Sequence, residues 1–385
     1  MTVLSLRARP RIRSTSRTLP RDAKLIAIAP IILALLGLPL ILSASWVASV
    51  NDGNSPFFYL MRQGIGVAIG LVALVVCSRL SIAWIQRLGR AAFVVSLLGL
   101  VAVLTPLGSA TNGSRRWIDL GAITFQPSEL AKFACVLVGA EMLARRGDRV
   151  RTVQDALKPV GLLFGAVIAL VMLEPDLGTA TILGLLFMTL LWVSAVPFRT
   201  ILTFSLAGVG AFGVLAMSAD YRRARVLSFL DPFADAENTG YQAVQSIVAL
   251  GSGGLFGTGF GMSRQKWLYV PNAHTDFIYA VIGEEAGLFG TFFILAAFAS
   301  IAFIGCRIAR ETSDPFCRMT AIGITVWLVG QAIVNIGAVT SMLPITGVPL
   351  PFVSYGNSAL AVSLAAVGVL VAIARATPTQ EPDRA

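Results

Sequence analysis

Ten apolar stretches, at roughly 24–48, 58–78, 91–106, 126–144, 159–174, 177–195, 200–218, 276–305, 319–341 and 356–374, constrain this chain more than any other feature. About 20 mostly apolar residues cross ~30 Å of hydrocarbon as a helix, and lipid leaves an unpaired backbone group no water to bond. Of the 385 residues 56% are apolar and 13% charged, and the mean hydropathy is +0.79. Those values exclude an ordinary soluble domain. They predict an all-α polytopic membrane protein with ten transmembrane helices and a large extracellular loop, 219–275, before the eighth.

Charge provides a check on the count, because short cytoplasmic loops collect Lys and Arg. With the N-terminus inside, segments 1–24, 79–90, 145–158, 196–200, 307–318 and the C-terminal tail hold 21 of the 30 basic residues. Both termini then lie in the cytoplasm of a multi-pass protein. The expected organisation is a basic cytoplasmic tail over 1–23, a single membrane domain over 24–375 and a second tail over 376–385. The first tail (Arg7, Arg9, Arg11, Arg13, Arg17, Arg21, Lys24) has no small-residue cleavage site and reads as an anchor, not a signal peptide. Topology accounts for its charge, with attraction to anionic headgroups as the alternative. Nucleic acid is a poor fit for so short a basic run beside a membrane span. Cys77, Cys135, Cys306 and Cys317 match no zinc spacing.

Nine basic residues fall where topology gives no reason for them: Arg62, Arg115, Arg116, Lys132, Arg222, Arg223, Arg225, Arg264 and Lys266. Eight sit in outer loops or near the outer face, and Lys132 lies within a span. An anionic ligand outside the membrane would explain the pattern. The outer segments 107–125, 219–275 and 342–355 contrast with the short inner loops, and 219–275 exceeds an ordinary connection. Inside it, 240–250 places Tyr241, Val244 and Val248 on one helical face, as an interfacial or a packed loop helix. The glycine-rich 251–261 lacks the strand-turn-helix setting of a nucleotide cradle and reads as a turn.

Three polar constellations could carry chemistry. Around Arg116-Trp117 and Gln126-Pro127-Ser128-Glu129, Pro127 suits a first helical turn with Ser128 or Gln126 as its cap. Arg116 could grip a phosphate while Trp117 anchors at headgroup level. Glu129 and Lys132, three apart, share a face as either a neutralised pair or ligand contacts. Tyr221-Arg222-Arg223-Ala224-Arg225 suits a pyrophosphate or ordinary anionic lipid. The third is His274-Thr275-Asp276, just before the eighth apolar stretch. There a carboxylate serves either as a helix cap or as a base whose pKa is set by opposing dipole and desolvation effects. His274, the only histidine, reads as a partner that orients the turn. Glu284 and Glu285 face other directions than Asp276 and would bridge neighbouring helices or reach the inner boundary. Glu174-Pro175-Asp176, Asn335 and the proline-rich 343–356 complete the polar breaks, as an outward-opening cavity would require.

Taken together, Gly113 to Lys132, Glu174 to Gly178, Tyr221 to Pro232, Gly240-Tyr241-Gln242, Ala273 to Glu285 and Leu343 to Gly356 resemble the SEDS family of peptidoglycan polymerases, which includes FtsW, RodA and SpoVE. Tyr221 to Arg225 and Ser263 to His274 look like the FtsW type, in particular the actinobacterial one, with the RodA type as the alternative. The resemblance implies polymerisation of lipid II into β-1,4 glycan strands on the outer face of the bacterial cytoplasmic membrane, releasing undecaprenyl pyrophosphate at the division septum. It puts the family's essential acid on Asp276, as general base or as ligand of a divalent cation (Mg or Mn), with no organic cofactor. Candidate substrate contacts are Arg116, Trp117, Gln126, Glu129, Lys132, Arg222, Arg223, Arg225, Lys266, His274 and Ser354. Implied partners are a class B penicillin-binding protein and other divisome membrane proteins. The chain departs from the family pattern at Leu268 (often Glu), Asn357 (often Gly), Thr346 (Lys in some) and Thr124 (Arg in some), so contacts at those positions do not carry over. A lipid II flippase and a non-catalytic divisome scaffold are the competing functions. A flippase needs access from both sides, whereas the unexplained charge here clusters on one.

Overall fold

The computed structural model describes residues 21–111, 114–121, 123–146, 153–194, 196–217, 223, 229–264, 267 and 273–377. Arg222, Arg225, Lys266 and most of both tails lie outside the described residues.

The apolar stretches fold as helices: α1 (Arg21–Asn51), α2 (Phe58–Arg79), α3 (Ile82–Val103), α4 (Pro127–Arg146), α5 (Val153–Ala156), α6 (Leu162–Leu173), α7 (Leu177–Val193), α8 (Phe198–Met217), α9 (Tyr241–Ser252), α10 (Ile278–Glu311), α11 (Pro315–Val339) and α12 (Asn357–Ala376). Among the described residues six of these, α1 to α3 and α10 to α12, are long and apolar enough to cross a membrane. Leu98, Leu206 and Val214 stand outward at 66%, 66% and 71% exposure, which suits a lipid-facing belt and not a water-facing one. The chain is thus a helical, multi-pass membrane protein.

Two of the apolar stretches, 91–106 and 159–174, lie in longer helical segments. α3 begins at Ile82, nine residues before the apolar run at 91, because Arg87 and Arg90 ride on its first turns. Arg90 donates to the buried Glu141 of α4 at 2.8 Å, which keeps that charge paired. The fifth stretch is extended backward through α5 and a π-helical turn, Leu157–Gly161, that runs into α6. Ends follow ordinary chemistry: Asp314 caps α11 by accepting from the Cys317 N–H at 2.9 Å, with Pro315 in the first turn. α4 starts at Pro127, as its sequence predicts.

The centre of the bundle is α11, whose Trp327 is fully buried, packed against α4, α7 and α10, while α2 and α12 form the most extensive single pairing. α1 lies against α2, α10 and α12.

Not everything is helical. Three short strands make a small antiparallel sheet, β1 (Ser109–Thr111), β2 (Ser114–Asp119) and β3 (Thr124–Phe125), in the order β1-β2-β3. The expectation of an all-α chain is corrected there. Strands of two to six residues are too short to show an alternating pattern in sequence. α9 is a packed loop helix: Ala243, Ser246 and Ala249 are buried, and the Ser246 hydroxyl donates to the Val339 carbonyl at 2.9 Å.

α10 is broken. Gly287, at φ 64° and ψ −158°, takes a backbone conformation that only glycine adopts readily, and it divides 278–286 from 288–311. The break would orphan carbonyls on one side and N–H groups on the other. The glycine-rich loop supplies both partners. Thr258 and Gly259 N–H donate to the Glu284 and Glu285 carbonyls at 2.9 and 3.1 Å, while Leu288 and Phe289 N–H donate to Gly254 and Leu255 carbonyls at 3.0 and 3.3 Å. The long apolar part of α10 therefore begins at Leu288, and Glu284 and Glu285 lie before it on the short segment 278–286. A β-carbon at 287 would stand 2.4 Å from the Gly257 nitrogen. Gly287→Ala should cost about 1–3 kcal/mol from strain alone, seen as a lower thermal midpoint of the detergent-solubilised protein; an unchanged midpoint would contradict this geometry.

Candidate functional site

The C-terminal end of α11 and the loop 343–356 that leads into α12 meet the turn 273–277 that precedes α10, and Asn335 and Ser354, both singled out in the sequence, bond that turn. Phe277, not Thr275 or Asp276, occupies the N-cap of α10. Asp276 is half-buried, and a β-carbon on Gly347 would meet its Oδ2 at 3.3 Å.

The turn is held from several directions. The Asn335 amide of α11 donates to the Asp276 carbonyl at 2.7 Å and to the Val348 carbonyl at 2.8 Å. The Ser354 hydroxyl donates to the Thr275 carbonyl at 2.6 Å and accepts from the Leu350 N–H at 2.8 Å. The Tyr355 N–H donates to the His274 carbonyl at 3.0 Å. Gln63 of α2 clamps the far side, donating to the Ser354 carbonyl and accepting from the Gly356 N–H. Irregular backbone buried at this level needs such side-chain partners, having no ladder of its own.

His274 is 6% exposed and lies against two tyrosine rings, with centroids 4.5 Å away for Tyr59 and 5.6 Å for Tyr355. Burial pulls its pKa down to about 4, so the ring is neutral at physiological pH. It is a packing and orienting residue rather than a proton carrier.

Glu129 and Lys132 form the buried pair that their spacing suggests. Lys132 Nζ donates to Glu129 Oε1 at 2.8 Å and to Gln331 Oε1 at 2.7 Å, and it faces the Trp327 ring at 5.6 Å. Gln331 in turn donates to the Pro349 carbonyl at 2.9 Å, tying the pair to the 343–356 loop. Gln126 is half-buried at the mouth, and its N–H donates to the Ser358 hydroxyl.

Arg116 reaches from β2 to the turn between α6 and α7. It donates to the Glu174 carbonyl at 3.1 Å and the Pro175 carbonyl at 2.6 Å, with its third nitrogen 3.9 Å from Asp176 Oδ2. Asp176 caps α7 through the Thr179 N–H at 3.0 Å. α7 then presses on the loop beside Asp276, since a β-carbon on Gly178 would stand 2.7 Å from the Thr346 carbonyl. Arg116 thus fixes a wall of the site with most of its fork. Trp117 is half-buried beside it on β2, its carbonyl accepting from the Ser109 hydroxyl at 3.0 Å, and Arg223 is exposed.

Glu174 is 1% exposed, and neither carboxyl oxygen has a hydrogen-bond partner among the described residues. Burial, with Asp176 adding to it and Arg116 opposing, pushes its pKa up to about 8. Between the ordinary 4.5 and about 8 the folded chain holds a proton that the unfolded chain releases, so stability falls as pH rises through that window. Glu174→Gln should flatten this decline, leaving the thermal midpoint at pH 8 several degrees above wild type and little changed at pH 4. Equal slopes in the two proteins would contradict it.

Sequence reasoning did not select Gln331, Gln63, Tyr59 or Tyr355. Gln331 had a signal: it lies one turn before Asn335 on an otherwise apolar helix. The tyrosines had none, because their partner is 215 positions away for Tyr59 and 81 for Tyr355 along the sequence.

Comparisons with known proteins show the family to which this fold belongs. Residues 23–379 match the FtsW/RodA/SpoVE family, described as cell cycle protein. The chain is 40% identical over 375 residues to the probable peptidoglycan glycosyltransferase FtsW of Mycobacterium tuberculosis, covering 96% of this chain and 71% of that one. It is 36% identical over 353 residues to stage V sporulation protein E of Bacillus subtilis, covering 91% and 96%. Among solved structures it is similar to a chain from a peptidoglycan synthase complex coordinating polymerization and crosslinking (TM-score 0.75, 27% identity, 94% and 98% covered). It is also similar to the rod shape determining protein RodA of Thermus thermophilus (TM-score 0.68, 26% identity, 94% and 99% covered). With the family matched over nearly its whole length, this chain belongs to the FtsW/RodA/SpoVE family.

Proposed function

We propose that this protein is a peptidoglycan glycosyltransferase that polymerises lipid II into β-1,4 glycan strands at the outer face of the cytoplasmic membrane. The observation that carries the reading is Asp276: a half-buried acid on a turn whose backbone is fixed by Asn335, Ser354 and Tyr355. Such rigidity suits a base that must meet one hydroxyl in one geometry. Asp276 takes the proton of the acceptor sugar's 4-hydroxyl as that oxygen bonds to the donor's anomeric carbon. The bond from that carbon to the pyrophosphate oxygen breaks, and undecaprenyl pyrophosphate leaves with the electron pair.

Lys132 is buried and twice bonded, so its charge acts on the leaving group through the field of the cavity. Arg223, with its sequence neighbours Arg222 and Arg225, and Lys266 supply the outer positive charge that draws in the pyrophosphate. Gln126, Trp117 and Ser354 border the sugar's path. Ten helices with both termini in the cytoplasm put all these residues on the outer side.

Among the described residues no three of His, Cys, Asp and Glu converge as metal ligands. A cation held by one carboxylate together with the substrate's phosphates needs no such cluster, so Asp276 as ligand of a divalent cation (Mg or Mn) beside the pyrophosphate is the alternative role for this acid.

A crosslinking partner, a class B penicillin-binding protein, fits a family relative that works in a complex coupling polymerization to crosslinking. Work at the division septum is the reading that the FtsW relatives support, at 37–40% identity over 90% or more of this chain, with elongation as the alternative. Purified protein incubated with lipid II and the partner transpeptidase in detergent should produce glycan polymer. Lipid II movement across vesicles with no polymer in any condition would replace this reading with the flippase.

A further inference from the structure

Gln331 and Asn335 are buried amides one turn apart on α11. Burying an amide is unfavourable unless its groups are bonded, so each is explained by what its bonds hold.

Their N–H groups close on successive carbonyls of one loop. Gln331 donates to the Pro349 carbonyl at 2.9 Å, and Asn335 donates to the Val348 carbonyl at 2.8 Å. The other bond from the Asn335 nitrogen goes to the Asp276 carbonyl at 2.7 Å. One side chain therefore joins the turn that carries the acid to the loop that passes beside it. The carboxylate faces that same loop, because a β-carbon on Gly347, the residue before Val348, would meet Asp276 Oδ2 at 3.3 Å. Gly347 stands at φ 72°, which favours glycine and leaves this flank bare.

The acceptor ends of the two amides differ. Gln331 Oε1 accepts from Lys132 at 2.7 Å and from the Trp327 indole at 3.0 Å, so only its nitrogen can turn to the loop. Asn335 Oδ1 is buried with no partner among the described residues. An unmet buried acceptor is destabilising, and an apolar side chain of that shape would avoid it. What Asn335 offers in return is its pair of donated bonds.

We propose that Asn335, braced by Gln331, is a positioning residue that sets the gap between the Asp276 carboxylate and the Gly347 flank, the slot where an acceptor hydroxyl meets the acid. This rests on the glycosyltransferase reading. Neither amide touches the reacting atoms. Lys132 then bears on the acid as well as on the leaving group: it holds Gln331, Gln331 holds the loop at 349, and Asn335 ties 348 to 276.

The test uses the full-length protein with lipid II and the partner transpeptidase, comparing Asn335→Asp, Asn335→Ala and Gln331→Met, each alone and combined with Asp276→Ala. Aspartate keeps the shape of asparagine but can donate to at most one of the two carbonyls. Both Asn335 variants should lower kcat by about 10–100-fold, the scale of a misplaced reacting group, with KM within about twofold of wild type. Added to Asp276→Ala, they should cause no further loss, because residues that act as a unit are not additive. A merely structural role would multiply the two losses. Unchanged kcat in Asn335→Asp, a loss confined to KM, or multiplied losses overturn the proposal. Should the Asn335 variants fail to fold, Gln331→Met decides by the same comparison. Backbone hydrogen exchange over 274–280 reads the hold without any chemistry: it should be faster in Asn335→Ala than in wild type, and equal rates overturn the proposal. If wild type makes no polymer, the glycosyltransferase reading fails instead, and the exchange rates still decide whether Asn335 holds the turn.

Discussion

Asp276→Ala is expected to lower lipid II polymerisation by about 10²–10⁴-fold, the usual contribution of a positioned base. The loss should appear with the fold intact, because the turn is held through backbone carbonyls, those of Asp276, Thr275 and His274, which alanine preserves. The thermal midpoint should stay near wild type. Asp276→Asn should be nearly as inactive, since the amide keeps size and polarity but cannot take the proton. If Asp276→Asn retained most activity, Asp276 would be a contact and not a base.

The second large effect is on stability. Lys132 and Glu129 side chains are 1% and 2% exposed, so removing one leaves the other buried without its countercharge. Lys132→Ala is expected to destabilise by about 3–5 kcal/mol, measured by loss of folded protein on heating in detergent. It should also remove one of the three bonds that hold Gln331, which accepts from the Trp327 indole as well and donates to the loop beside Asp276, so activity should fall further than folded fraction. The double change Glu129→Gln with Lys132→Met removes both charges. It should regain most of the stability without regaining polymerisation, since the cavity has then lost its positive field. A double variant as active as wild type would assign the pair a purely structural role.

Most of what can be read from sequence here is one-dimensional. Apolar runs marked the helices, of which six are long and apolar enough among the described residues to cross a membrane. Proline and acid at 127–129 marked the start of α4, and Asp314-Pro315 sits in the same way at the start of α11. Glu129 and Lys132 pair as three-residue spacing requires. The remainder depends on partners far along the chain. Gly283 to Gly287 reads as continuous helix, and only the loop at 254–259, with free N–H and carbonyl groups to exchange, makes a break tolerable. Arg116 reads as a phosphate ligand until the carbonyls of 174–175, nearly sixty residues on, are seen to occupy it. Asp276 and Thr275 look like caps by spacing, yet the helix starts one residue later because Asn335 and Ser354 claim the carbonyls of the turn. Two departures from the family pattern, Thr346 and Asn357, bury polar atoms with no partner among the described residues.

The central claim is that a fixed acid at 276 carries glycosyl transfer on the outer face. Its most direct test is the chain-length distribution of products from labelled lipid II, with wild type and Asp276→Ala purified alike and assayed with the same transpeptidase partner. Long glycan strands from wild type and unreacted lipid II from Asp276→Ala are predicted; strands of equal length and yield from both would contradict the account.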